Sequence, residues 1–195
     1  GGDAAAEVNG WLETRYPNIY LVGDVAGSYQ FTHAAAHQAW HAAVNALLGG
    51  LKRFRVDYRV LPRVTFTDPE IAQVGHNAQS AQAAGIEHEV VRYGLGHLVR
   101  AVAEGAREGW VQFLVEPARD RILGATIVGH NAGELIAEPA LAMKHGIGLR
   151  KLLGTVHAYP TMAEANKYAA GEWRRAHQPE RLLRWVQRFH RWRRR

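Results

Sequence analysis

Hydrophobic positions in this chain change their period part-way along. Near the start, Ile19-Tyr20-Leu21-Val22 is an unbroken β-branched and aromatic run closed by Gly23-Asp24. Such a run predicts a strand buried on both faces. The residues before it, 1–18, read as polar helix or loop ending in a turn at Pro17-Asn18. They supply no partner strands for a parallel sheet, so the remainder of that sheet is expected upstream of Gly1. The alanine-rich stretch THAAAHQAWHAAVNALL, Thr32 to Leu48, predicts a helix stopped at Gly49-Gly50.

After a basic connector, Leu51 to Tyr58, the pattern turns to short runs separated by glycine, asparagine and proline. Strands are predicted over Arg63 to Thr67, Glu87 to Tyr93, Trp110 to Glu116 and Ile122 to Val128. The last two flank Pro117-Ala118-Arg119-Asp120 as a hairpin. Helices are predicted over Asn77 to Ala84, Gly133 to His145 and Thr161 to Ala170, the last beginning just after Pro160. Strands grouped together and then helices grouped together indicate an α+β fold with a largely antiparallel sheet. Beyond it, Leu182, Val186 and Phe189, with Trp185 and Trp192, recur at helical spacing among arginines, a basic amphipathic helix.

Composition adds three limits. The 195 residues are 47% hydrophobic and 22% charged, enough for a packed core. No apolar stretch approaches the roughly 20 residues a bilayer span needs, and there is no N-terminal signal pattern, so a cytoplasmic location is expected. With zero cysteines the chain holds no disulfide, thiolate metal site or cysteine nucleophile. The net charge of +6 is local: residues 172–195 hold nine arginines and two glutamates, 9 − 2 = +7, leaving −1 for the rest. A tail of this kind suits either docking of its apolar stripe on the body or the surface of an anionic membrane, which would make the protein peripheral to the inner face of a membrane. No recognised nucleic-acid module accompanies it, so specific nucleic-acid binding is not expected.

Three groups of residues carry candidate chemistry. Asp24 stands just beyond a strand end, where a carboxylate accepts hydrogen bonds from sugar-like hydroxyls, and Thr32 opens a helix whose free N–H groups face an anion or an electron-rich ring. In His157-Ala158-Tyr159-Pro160-Thr161-Met162-Ala163-Glu164, the carboxylate of Glu164 is placed to reach back towards Tyr159 or His157. That phenol–carboxylate pair would transfer protons or position a thiol or soft metal; otherwise it is a helix-start glutamate beside a packed tyrosine. His33, His37 and His41 share a helix face, a spacing open to metal chelation or to plain packing, and no metal ligand set is assigned.

Taken in order, NIYLVGDVAG, QFTHAAAHQAW, VTFTDPEIAQVG and HAYPTMAEANKYAAG resemble the C-terminal half of the class I pyridine nucleotide-disulfide oxidoreductases, the flavoproteins that include dihydrolipoamide dehydrogenase, glutathione reductase and mercuric reductase. The resemblance covers about Val8 to Gly171. It implies that residues 1–58 end an FAD-binding α/β domain, 59–171 form a dimerisation (interface) domain, and 172–195 are an appended basic tail. It further implies a homodimer that uses FAD and NAD(P)H for redox homeostasis, with hydride passing from nicotinamide to FAD and on to an upstream cysteine pair. Asp24 would hydrogen-bond the ribityl chain, Thr32 would face the isoalloxazine edge, and Tyr159 with Glu164 would border the partner's disulfide site. The glycine-rich FAD motif, the NAD(P) domain and the cysteine pair are not in this chain, so the segment alone is expected neither to catalyse nor to retain FAD. Where dihydrolipoamide dehydrogenase has a histidine before proline stands Tyr159, similar to mercuric reductase, although the tail ends in Trp192-Arg193-Arg194-Arg195 and not in a cysteine pair. The contrasting expectation is a non-enzymatic dimerisation or membrane-docking module built on the same interface fold.

Overall fold

The computed structural model describes residues 7–16, 18–27 and 29–194, apart from the side chains of Glu180 and Leu182. Pro17 of the expected turn and the Leu182 position of the apolar stripe thus lie outside the described residues. The chain divides into two compact units, Gly1–Tyr58 and Arg59–Arg195.

In the first unit, helix α1 spans Thr32–Leu48, as the alanine content predicts. Its inner face carries Ala34, Gln38, His41, Ala42 and Asn45, a helical stripe that is largely polar. Those polar groups tie down loops. Asn45 Nδ2 donates to the carbonyls of Trp11 (3.2 Å) and Phe54 (2.8 Å), and its Oδ1 accepts from Phe54 N at 2.7 Å. Leu12, Ala42 and Val56 form the small core, joined by Tyr20 and Val22.

The expected strand at Ile19–Val22 is corrected: the segment forms one isolated bridge, Glu13↔Tyr20, and Ile19 is exposed. Its backbone groups bond locally instead, Thr14 N to Ile19 O at 2.9 Å and Leu21 N to Leu12 O at 3.1 Å. A strand buried on both faces needs flanking strands to take its N–H and C=O groups. Among the described residues of this unit a single bridge does so.

The second unit is α+β. Strands β1 (Arg63–Thr65), β2 (Glu70–Gly75), β3 (Glu89–Gly94), β4 (Gly109–Val115) and β5 (Ile122–Gly129) form one antiparallel sheet in the order β1-β2-β5-β4-β3. The β4–β5 hairpin at Pro117–Asp120 is as expected from sequence. Helices α2 (Ala78–Ala83), α3 (Val99–Glu104), α4 (Ala132–Leu135), α5 (Ala137–Lys144), α6 (Leu149–Gly154), α7 (Glu164–Ala176) and α8 (Glu180–Arg193) complete the chain. Register explains the core. Val64, Ala72, Ile127, Val111 and Tyr93 lie in one row across all five strands, and Val74, Ala125, Phe113 and Val91 in another. These apolar rows, two residues apart on each strand, bury against Leu149, Leu152, Ala165, Ala169 and Trp173. The intervening row, Arg63, Gln73, Thr126, Gln112 and Arg92, faces away and is wholly polar.

Four elements differ from the sequence reading. β2 was not expected, and α3 and α6 were not expected either. The single helix expected over Gly133–His145 is broken at Ile136 into α4 and α5. Pro139 explains the break: lacking an N–H, it leaves Leu135 O without its helical donor. Asn166 Nδ2, arriving from α7, fills that place at 3.1 Å.

Candidate functional site

A short 3-10 turn, Gly23–Ala26, packs against α1 in the first unit. Gly23 adopts φ +74°, a left-handed conformation glycine enters without strain, and its N–H donates to Gln38 Oε1 at 2.6 Å. Gln38 Nε2 in turn donates to Tyr58 Oη at 2.9 Å. This chain of bonds fixes the turn and leaves Asp24 projecting. The Asp24 carboxylate is exposed and, among the described residues, makes no hydrogen bond or ion pair. The N-terminus of α1 begins at Thr32, and Phe31 before it supplies no side-chain cap. The histidines of the same helix behave differently. His41 is buried, with Nδ1 2.9 Å from His37 O and its ring edge-on to Trp40. Packing therefore accounts for His41.

In the second unit the segment 157–164 runs between α6 and α7. Its two titratable ends are held by different partners. His157 Nε2 lies 2.8 Å from Glu138 Oε1, and its Nδ1 lies 3.2 Å from Thr155 O. Glu138 Oε2 accepts from Asn166 Nδ2 at 2.9 Å, so α5, α7 and the loop meet at one partly buried polar knot. Glu164 does not reach Tyr159 or His157, contrary to the sequence reading. Its Oε2 accepts from Thr161 N at 3.1 Å and its Oε1 from the Tyr168 hydroxyl at 3.0 Å. The helix begins at Glu164 and not directly after Pro160, because Thr161 to Ala163 form a turn closed by that carboxylate. With one carboxylate oxygen engaged by that turn and the other by its own helix, Glu164 is pinned. Tyr159, which precedes a cis Pro160, stands at the loop tip, 68% exposed, and its hydroxyl makes no hydrogen bond among the described residues.

The geometry thus keeps Tyr159 and Glu164 on one six-residue loop without bonding them to each other. It also adds Glu138, Asn166 and Tyr168, which sequence reasoning missed. The spacing Glu164 to Tyr168, one helical turn, carried the signal for the third. Nothing local in the sequence marked the first two, which lie 28 residues apart.

The Tyr168 phenol is held above its ordinary value of 10.0, first because Glu164 accepts its hydrogen bond and then through burial. A raised folded-state value means that the folded protein keeps a proton the unfolded chain releases. The associated stabilisation is complete below pH 10 and is lost as pH rises through the folded value. In Glu164→Gln, the Tyr168 titration is expected to move down towards 10. Difference absorbance of tyrosinate between variant and parent, scanned through alkaline pH, reads the shift, and superimposable curves would refute it.

Comparison with known proteins bears on the loop and the sheet together. Residues 61–170 match the pyridine nucleotide-disulphide oxidoreductase dimerisation domain. The chain belongs to the pyridine nucleotide-disulphide oxidoreductases. It is 39% identical over 153 residues to dihydrolipoyl dehydrogenase of Chlamydia muridarum, covering 78% of this chain and 32% of that protein. To the mitochondrial dihydrolipoyl dehydrogenase of Sus scrofa it is 35% identical over 162 residues, covering 83% and 31%. The chain spans about a third of the length of these curated relatives. Among solved structures, LpdA of Mycobacterium tuberculosis superposes with a TM-score of 0.77 at 27% identity, covering 85% of this chain and 36% of that one. The HOCl-induced flavoprotein disulfide reductase RclA of Escherichia coli, in its Cu(II) complex, gives 0.76 at 27%, covering 84% and 37%. The five-stranded antiparallel sheet with its flanking helices is the dimerisation domain of this oxidoreductase family.

Proposed function

We infer that this chain is the C-terminal, dimerising part of an FAD-dependent NAD(P)H oxidoreductase of the disulfide-reductase class, working as a homodimer. The observation that carries this reading is the loop at Tyr159, held rigidly at its base by Glu138 and Glu164 while its tip is exposed. A tip so presented suits insertion into the active site of a second subunit. The domain boundary at 58/59 belongs to the same proposal, whereas the tail expected from residue 172 starts later, since α7 runs on to Ala176 and buries Trp173 in the core of the second unit.

FAD, when bound, supplies two-electron transfer between a nicotinamide and a cysteine pair. Because the chain contains no cysteine, that pair must come from residues outside it. The first unit fits the flavin. Its exposed Asp24 carboxylate would accept from ribityl hydroxyls, and the N-terminus of α1 at Thr32 would face the electron-rich ring edge. With so few contacts, this segment alone is not expected to retain FAD or to turn over substrate.

The exposed Tyr159 hydroxyl would donate a hydrogen bond to a thiolate, or lend its oxygen as a ligand to a soft metal ion. Glu164 would be a positioning residue, fixing the turn through Thr161 N. In the longer protein that contains this chain, Tyr159→Phe is expected to lower kcat for its disulfide or metal substrate by up to about 10²-fold. Its flavin absorption should stay unchanged, and Glu164→Gln, which retains the Thr161 acceptor, should fall less than Glu164→Ala. Unchanged turnover of every substrate in Tyr159→Phe would sink the site assignment. A colourless native protein would remove the flavin itself and leave a dimerisation module.

A further inference from the structure

The tail helix α8 is not used by that reading. Trp185 and Phe189 stack with centroids 5.8 Å apart and planes 10° apart, and Phe189 meets Trp192 at 6.0 Å. At spacings of four and three residues these rings make one ridge along a side of the helix, flanked by Val186, while Leu183 lies further round the helix. The ridge is open: Trp185 is 62% and Trp192 71% exposed. Arg181, Arg184, Arg188 and Arg191 run along the flank of that ridge away from Val186. Between Glu180 and Arg193 there are five arginines and one glutamate, 5 − 1 = +4, with Arg194 and Arg195 following.

We propose that α8 is a membrane-surface helix that lies in the headgroup layer of an anionic bilayer. Fourteen residues at 1.5 Å each give about 21 Å, well short of a bilayer's hydrocarbon thickness. Among the described residues no helix is long and apolar enough to cross a membrane. α8 is therefore placed flat. Tryptophan rings favour the boundary between headgroups and acyl chains, and arginine stems run along apolar surface to bring their guanidinium groups to lipid phosphates. One face for each layer is what this helix presents.

Charge argues against two other occupants. A second copy of α8 stacked ridge to ridge would bring two strongly positive helices together. A nucleic-acid duplex would satisfy the arginines but would leave three aromatic rings and two aliphatic side chains in water. An anionic lipid surface satisfies both faces at once.

The test uses the full chain with vesicles of phosphatidylcholine alone or mixed with phosphatidylglycerol at 7:3. Sedimentation should show partition into the anionic vesicles at least about tenfold stronger than into neutral ones and weakened by high salt, since each arginine near the surface contributes about fivefold. Tryptophan emission should shift to the blue on binding. Arg188→Gln with Arg191→Gln should weaken partition by about 25-fold. Trp185→Ala with Trp192→Ala should abolish the blue shift. Both pairs lie on an exposed surface, and unchanged far-UV circular dichroism melting confirms that each variant is folded. Equal binding to neutral vesicles, no binding, or binding without a blue shift would overturn the proposal. So would a short DNA duplex that, at equal phosphate, strips the chain from the vesicles, in which case the tail is a nucleic-acid contact.

Discussion

Asn166→Asp is expected to lower the stability of the second unit by about 3–5 kcal/mol at neutral pH, the range for an uncompensated buried charge. Asn166 is 0% exposed, and its amide nitrogen serves two acceptors, Glu138 Oε2 at 2.9 Å and Leu135 O at 3.1 Å. Both are oxygens. Aspartate offers no donor to either, so a fully buried carboxylate at 166 faces the half-buried one of Glu138, and the carbonyl freed by Pro139 loses its partner. Asn166→Ala removes the same hydrogen bonds without adding charge, and its cost should be smaller, about 1–3 kcal/mol. The two variants also differ in their response to acid. Protonating the introduced carboxylate creates a donor, so the folded state binds a proton that the unfolded chain holds only at lower pH. Stability of Asn166→Asp should therefore recover as pH falls, relative to Asn166→Ala. Urea midpoints at pH 7 and pH 5 measure this. If Asn166→Asp matches Asn166→Ala at both, then Glu138 and residue 166 do not interact as described.

This knot also shows what the sequence could and could not reveal. The hairpin strands β4 and β5 were legible because their apolar residues repeat without interruption around a turn of proline, arginine and aspartate. Helix α1 was legible because alanine favours helix whatever surrounds it. By contrast β2 hid behind Ala72, whose small side chain gives a weak alternation, and α3 and α6 are only six residues each. The break at Ile136 has its cause in Pro139, but the donor that takes up Leu135 O comes from α7 and is not visible in the local sequence. Candidate site residues followed the same rule. Local order along the chain brought Tyr159, His157 and Glu164 to one loop, but which acceptor each group takes was decided by helices α5 and α7. The glutamate that sequence spacing aimed at Tyr159 is captured instead by Thr161 N and Tyr168. In the first unit, Ile19 to Val22 has strand composition and makes one bridge, since composition cannot supply neighbours.

Trp173→Ala should cost about 3–5 kcal/mol, because truncating a buried tryptophan leaves a cavity its surroundings cannot fill. Trp173 is 1% exposed and lies on the stripe Ala165, Asn166, Ala169, Ala170 and Trp173 by which α7 packs on β3, β4 and α6. The alanines allow close approach of the helix, and the indole fills the space they leave. His177 stacks on it at 4.5 Å, and the Arg150 guanidinium from α6 sits 5.5 Å from its ring centre. Its Nε1 is buried with no hydrogen-bond partner among the described residues, so Trp173→Phe loses ring volume but also removes an unsatisfied donor. That variant should be closer to the parent than to Trp173→Ala. Trp185→Ala supplies the opposite control: it is on the open ridge of α8, and its effect on stability should stay within about 0.5 kcal/mol. Because Glu164, Asn166 and Tyr168 ride on the same helix, loosening its docking at Trp173 should also release the loop that ends at Glu164. In Trp173→Ala, amide exchange at Thr161 is therefore expected to quicken along with the drop in urea midpoint. Protection at Thr161 that is unchanged while the midpoint falls would mean that the loop is anchored by His157 and Glu138 alone, and that α7 does not hold the tip in place.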